Sequence, residues 1–301
     1  MWRDKPISLG QLAADFPLGV LRDGEIRHLG LLSTPLDGLL VPLFDEAFVP
    51  ELLASDRVAG VLASDVLAAA VPEHLAVAVA ANPMEMLFDI HHALAARQDW
   101  WWRGFDTRIA ADAIIHPTAF IAARDVVIEA GVRVGPKAVI LERSVVEAGA
   151  CVGAGSILGG DGFEIRSHHG KPSLIPHVGG VRIGREAVIQ AGVTIDRALF
   201  GGFTHIGDQT ALADGVHIAH AVRIGMGTRL AAGVVVGGST SIGSGCWLGL
   251  NASVANGLNL GDGCFVTMGA VVTRDVAPEQ RVSGNYATDH ARFVAAMRTS
   301  D

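Results

Sequence analysis

A column of aliphatic residues recurs at every sixth position through the last two-thirds of this 301-residue chain. Ile206, Leu212, Ile218, Ile224, Leu230, Val236, Ile242, Leu248, Val254, Leu260, Val266 and Val272 keep one unbroken register. A small residue mostly follows each of them, as at Gly207, Ala213, Gly225 and Gly237. An earlier run (Ile128, Val134, Ile140, Val146, Val152, Leu158) and a middle one (Ile183, Ile189, Ile195) obey the same rule. A fixed period this short marks a repeat architecture, and a hexapeptide period points to a parallel β-helix. Six-residue faces closing as a triangle give about eighteen residues per coil, with coils stacked at roughly 4.8 Å. Residue n then sits beside residue n+18, and the three runs supply about seven coils.

Composition narrows the reading. The 37 glycines suit a fold of many tight corners, and the single Tyr and half-hydrophobic content suit a narrow aliphatic core. A net charge of −8 argues against a nucleic-acid binder, which carries a basic face. The start, MWRDKPISLGQ, has no apolar h-region, and no uncharged run has the length of a membrane span. The expectation is a cytoplasmic protein with no transmembrane segment and no nucleic-acid partner. Cys151, Cys246 and Cys264 form no secreted disulfide framework. Cys246 and Cys264, one coil apart, are expected to stack as small inward fillers.

Three regions follow. Residues 1–108 do not repeat and read as a small α/β domain. Ser8 can cap a helix, 58–63 and 76–80 read as buried strands, and Asn82-Pro83 opens a helical stretch to Gln98. Trp100, Trp101 and Trp102 are read as a plug at the domain junction rather than a ring-stacking surface. Residues 109–275 are the β-helix, and 276–301 leave the repeat at Pro278 for a short helix over Thr288 to Arg298. Two steps break the period. From Leu158 to Ile183 the chain leaves the prism as a long external loop, and such loops in repeat proteins are usually functional. From Ile195 to Ile206 the step is one residue short of two repeats, which implies a distorted corner.

A β-helix wall offers few concave places, so ionisable groups near the loops matter most. Two residues past the inward Ile218 comes His220, and one coil on from it is Gly238. A His beside a Gly N–H suits acyl transfer. The imidazole takes a proton from an attacking amine near neutral pH, and the uncrowded N–H stabilises a tetrahedral oxyanion. On spacing alone, two solvent-exposed surface histidines, His217 and His220, remain an open alternative.

Asp161–Ile165 (DGFEI), Gly170-Lys171, Ile175-Pro176, Thr194–Arg197 (TIDR) and His217–His220 followed by Ile224-Gly225 occur in one order and spacing. In this the chain resembles the UDP-3-O-(3-hydroxyacyl)glucosamine N-acyltransferase family of lipid A synthesis, over nearly its whole length. The resemblance implies a left-handed parallel β-helix, mainly β, with a small N-terminal nucleotide-sugar-binding domain. It implies His220 as general base and Gly238 as the oxyanion-hole glycine. Asp161 and Phe163 would contact substrate or acyl chain beside a neighbouring subunit's site. Asp196 and His217 are further candidate substrate contacts, and Arg197 completes the TIDR motif with a structural ion-pair role for it equally open. The implied assembly is a homotrimer that takes its acyl group from acyl carrier protein, or from acyl-CoA, as a phosphopantetheine thioester. No metal and no permanently bound cofactor are expected.

The chain departs from that pattern at named positions. Ala221 stands where the family has Asn, Ala213 and Asp214 where it has Asp-Asn, and Asn256-Gly257 where it has Gly-His. The uracil-clasping segment falls at Leu39 to Phe48, with Phe44 and Phe48 as the candidate aromatics and no Asn. Three other readings therefore stay beside the leading one: a paralogue acting on another nucleotide-linked amino sugar, an inactive trimeric scaffold, and a zinc enzyme using His205, His217 and His220.

Overall fold

The fold is a computed structural model that describes residues 6–97, 102–168 and 171–284. Every residue of the long six-step column turns inward, from Ile206, Leu212 and Ile218 at 0% exposure to Val272 at 6%. Burying each such side chain contributes about 1.5–3 kcal/mol, so a register that never slips outweighs the entropy of many short strands. Strands of two to four residues stack into three parallel sheets of eight, eight and nine strands among the described residues. His217 pairs with Val235 and Ser241 with Asn259, which is the expected n+18 neighbour relation. Cys246 and Cys264 are buried one coil apart inside the prism.

Three expectations need correction. The β-helix is longer than about seven coils, because it begins with the strand Arg108–Ile109 and includes Ile114–Ile115 and Phe120–Ile121. These precede the earliest run used for counting, from which a one-residue slip between Ile121 and Ile128 separates them. The repeat also does not end at Pro278: Arg281–Val282 still pairs in parallel with Phe265–Val266. Finally, the step from Ile195 to Ile206 is one face plus an insertion, not two faces less a residue. Ile183 pairs directly with Ile206, and Thr194 meets His217 at a separation of 23 residues. The expected helix over Thr288 to Arg298 lies outside the described residues, as do Trp100 and Trp101.

The N-terminal domain holds a five-stranded sheet in the order Gly19–Arg22, Ala76–Val79, Val58–Ala63, Leu39–Leu43, His28–Leu29, with only the first pair antiparallel. Helix α1 (Leu9–Ala13) starts at Ser8 through a full capping box with Gln11. Helix α2 (Val49–Ala54) lies between the strands Leu39–Leu43 and Val58–Ala63 in the chain, and α3 (Pro83–Ala95) is capped by the Asn82 side chain. Leu87, Phe88 and Ile90 of α3 share one buried cluster with Ile175, Val178, Leu199 and Phe200 of the β-helix loops. Those loops weld the two domains together. Trp102 is 5% exposed and packs edge-on to Phe203 of the β-helix.

Candidate active site

Both interruptions of the repeat leave the prism at the same edge. The longer one separates Ile157–Gly160 from Gly180–Ile183, and the shorter separates Thr194–Asp196 from Phe203–Ile206. His217–Ile218 lies on the coil next to Thr194–Asp196, and the chain then turns through His220 toward Arg223–Ile224. His220 and Gly238 therefore stand on this edge directly above two stacked insertions. The longer insertion folds back through an antiparallel hairpin, Ile165–His168 with Lys171–Leu174.

The imidazole of His220 lies between two glycines. A Cβ on Gly238 would come 2.6 Å from His220 Nε2, and one on Gly162 would come 3.0 Å from His220 Cδ2. Any side chain at either position would displace the ring. The Gly238 N–H takes no partner among the described residues, while its carbonyl accepts from Gly257 N–H at 2.9 Å. A free, unshielded N–H beside an imidazole is what an oxyanion requires.

A cavity of about 670 Å³ opens on this edge. Its lining combines the polar Asp161, Glu164, Asp196, His217 and His220 with the backbone of Gly238 and the apolar Leu31, Pro35, Phe88, Leu199 and Phe200. Glu164 Oε2 stands 3.7 Å from His220 Nε2. Burial holds the His220 pKa below the ordinary 6.5, and the Glu164 carboxylate opposes that shift. His220 is thus neutral at pH 7, the state a base needs. Its ring meets His177 edge-to-face at 5.4 Å. His177 is 4% exposed, with Nδ1–H donating to the Ile175 carbonyl at 3.0 Å. Burial, and secondly His220, press its pKa down to about 4.

Next to this pair sits another. Asp196 Oδ2 is 3.8 Å from His217 Nε2, and the Thr194 hydroxyl is 2.7 Å from His217 Nδ1. Burial first, then the Asp161 charge, push the Asp196 pKa up to about 7. Burial lowers that of His217. Arg197 Nε donates to the Gly159 carbonyl at 2.7 Å and stands 3.3 Å from Asp161, so it pins the loop against the prism.

The structure brings together His220, Gly238, Asp161, Phe163, Asp196 and His217 on a single chain, with the Asp161–Phe163 loop beside its own His220. It does not bring Phe44 and Phe48 there. Leu39–Leu43 is a wholly buried strand of the N-terminal sheet, and the two rings meet at a tilt with centroids 5.2 Å apart, outside the cavity lining. The N-terminal domain reaches the cavity through Leu31, Ser33, Thr34 and Pro35 instead. His205 lies on the neighbouring sheet, paired in register with Arg182 and Arg223, and lines a different cleft. No group of three or more His, Cys, Asp or Glu among the described residues could hold a metal ion. Glu164 and His177 were missed by sequence reasoning. Glu164 lies inside the DGFEI segment and could have been found there; nothing in spacing marks His177.

Gly257, where the family pattern has His, lines the cavity and adopts φ +72°, with open space where a Cβ would go.

Residues 170–197 and 239–274 match the hexapeptide repeat of succinyl-transferase, and 203–238 match the bacterial transferase hexapeptide. A UDP-3-O-acylglucosamine N-acyltransferase of Pseudomonas aeruginosa is 31% identical over 262 residues, 72% of this chain and 68% of that protein. One from Leptothrix cholodnii is 29% identical over 66% of this chain, and the alignment spans 64% of that relative's length. Among solved structures, a UDP-N-acetylglucosamine O-acyltransferase of Moraxella catarrhalis is similar over 65% of this chain and 76% of its own, at 24% identity and a TM-score of 0.40.

Proposed function

Since the chain belongs to the UDP-3-O-acylglucosamine N-acyltransferase family, we propose that it moves a 3-hydroxyacyl group from a phosphopantetheine thioester to the amine of a UDP-linked glucosamine derivative, the N-acylation of lipid A synthesis. The observation that carries this reading is His220 held against Gly238, whose N–H takes no partner among the described residues, in the lining of one cavity. The 2-amine attacks the thioester carbonyl as His220 Nε2 takes its proton. The Gly238 N–H stabilises the oxyanion, the C–S bond breaks, and the thiol leaves with the proton that His220 returns. Glu164 stabilises the transient imidazolium through its charge. Acyl carrier protein is the expected donor, acyl-CoA the alternative, and the working unit a homotrimer in the cytoplasm. No helix among the described residues is long and apolar enough to cross a membrane.

A second reading keeps the chemistry and changes the acceptor. It is favoured by Phe44 and Phe48 lying outside the cavity, so that the loop Leu31–Pro35 would meet the nucleotide instead. Calorimetric titration with UDP-N-acetylglucosamine and with the matching thymidine, guanosine and cytidine sugars separates the two. Preferential binding of the uridine compound, lost on Thr34→Trp, supports the lipid A acceptor; preference for another base moves the protein to the second reading.

A further inference from the structure

Acylating an amine that arrives protonated moves two protons off nitrogen. The ammonium loses one to expose its lone pair, and the nitrogen loses another once the C–N bond has formed. The thiolate takes one back as the C–S bond breaks, so one proton leaves the site overall. His220 can hold only one at a time. A second acceptor within the same cavity would let the enzyme use the ammonium form directly, and this inference rests on the proposed N-acyl transfer.

We infer that the Asp196–His217 pair is that acceptor: it takes the first proton from the substrate ammonium, leaving His220 free for the second. Asp196 Oδ2 and His217 Nε2 are 3.8 Å apart, both residues line the cavity that holds His220, and His217 is three residues before it on the same coil. The Thr194 hydroxyl fixes the far edge of the His217 ring. The other charged groups around the pair are accounted for. Asp161 faces Asp196 from the long loop, with Arg197 beside it, committed to the Gly159 carbonyl and Asp161. Arg143, from the preceding coil, donates to the Val178 carbonyl, and Glu164 and Arg223 line the same cavity. A carboxyl whose pKa burial pushes up to about 7 is part carboxylate at neutrality and mostly carboxylate above it, and it returns the proton to water readily. The same burial is a stability cost that a purely structural residue has no reason to carry.

The step is R–NH3⁺ with Asp196 carboxylate giving R–NH2 with Asp196 carboxylic acid, after which aminolysis of the thioester proceeds at His220. The test is the pH profile of kcat/KM from pH 6 to 9.5 for the full-length protein, its Asp196→Asn variant and its His220→Ala variant, using UDP-3-O-acyl-glucosamine and an acyl thioester of acyl carrier protein. Without Asp196 the enzyme must wait for free amine, whose pKa lies near the α-amino value of about 8. The acid limb of Asp196→Asn is expected to move up by about one unit. Activity should fall about tenfold at pH 6.5 and return to within about threefold of the parent at pH 9. His220→Ala should stay inactive across the range. Asp196→Asn should also raise Tm at pH 8, since it removes a buried carboxylate, so loss of activity cannot be loss of fold. An unmoved acid limb, or a loss that is uniform from pH 6 to 9.5, overturns the inference while leaving His220 in place. Turnover by His220→Ala would overturn the proposed function itself, and this inference with it.

Discussion

His220 owes its orientation to what is missing on either side of it. Gly162 and Gly238 supply no Cβ, and the ring fills the gap between two backbones. Its ionisation is set by two opposed causes, burial lowering the pKa and Glu164 raising it. Replacing Glu164 by Gln removes the second cause and leaves the first. The His220 midpoint should then fall further below 6.5 in an NMR titration of its Cε1–H signal, and kcat should drop by about tenfold as the base weakens. An unchanged midpoint would mean that the carboxylate, at 3.7 Å, does not act on the ring. At this scale the sequence was partly legible. His220 and Gly238 could be paired by counting one coil, because stacking makes n and n+18 neighbours. Glu164 and His177 reach the site through a loop that leaves the repeat, so no periodicity could place them.

Among the coils and corners, the six-residue step was legible along its unbroken runs from Ile128 to Val272, because an inward side chain that shifts by one residue would point into solvent; the strands before Ile128 and after Val272 were missed. The insertions were less so. A step of eleven is equally five over one face and one short of two, and only the pairing of Ile183 with Ile206 decides between them. Their shared exit edge explains why a plain solenoid has a cavity at all. The corners carry a second cost. Ala221 sits at φ +58° just past His220, a conformation that L residues other than Asn, Asp and Gly rarely adopt. Asn stands there in the family pattern, and its side chain suits the left-handed region better. Ala221→Asn should stabilise the fold by about 1 kcal/mol, read as a rise in Tm or in the denaturant midpoint. No gain would mean that the Ala221 N–H bond to the Thr204 hydroxyl, at 2.8 Å, already offsets the strain.

In the molecule as a whole, the β-helix serves as a rigid edge on which loops and a second domain build a site. The aliphatic prism and the N-terminal sheet have separate cores, and a third cluster joins them through Leu199, Phe200, Ile175 and helix α3. That junction brings Leu31–Pro35 and Phe88 to the cavity mouth. The α/β domain itself was legible, in its strands at 58–63 and 76–80 and its helix opening at Asn82-Pro83; the way it joins the β-helix was not. Leu39–Leu43, expected to belong to the uracil-clasping segment, is taken up by the domain's own core. The central claim is that one imidazole on the shared edge performs the acyl transfer. The most direct measurement is turnover by His220→Ala, with mass spectrometry of the acylated nucleotide sugar and light scattering of the assembly. Turnover is expected to fall by at least ~100-fold with the assembly mass unchanged. A variant that turns over at near the parent rate would contradict it.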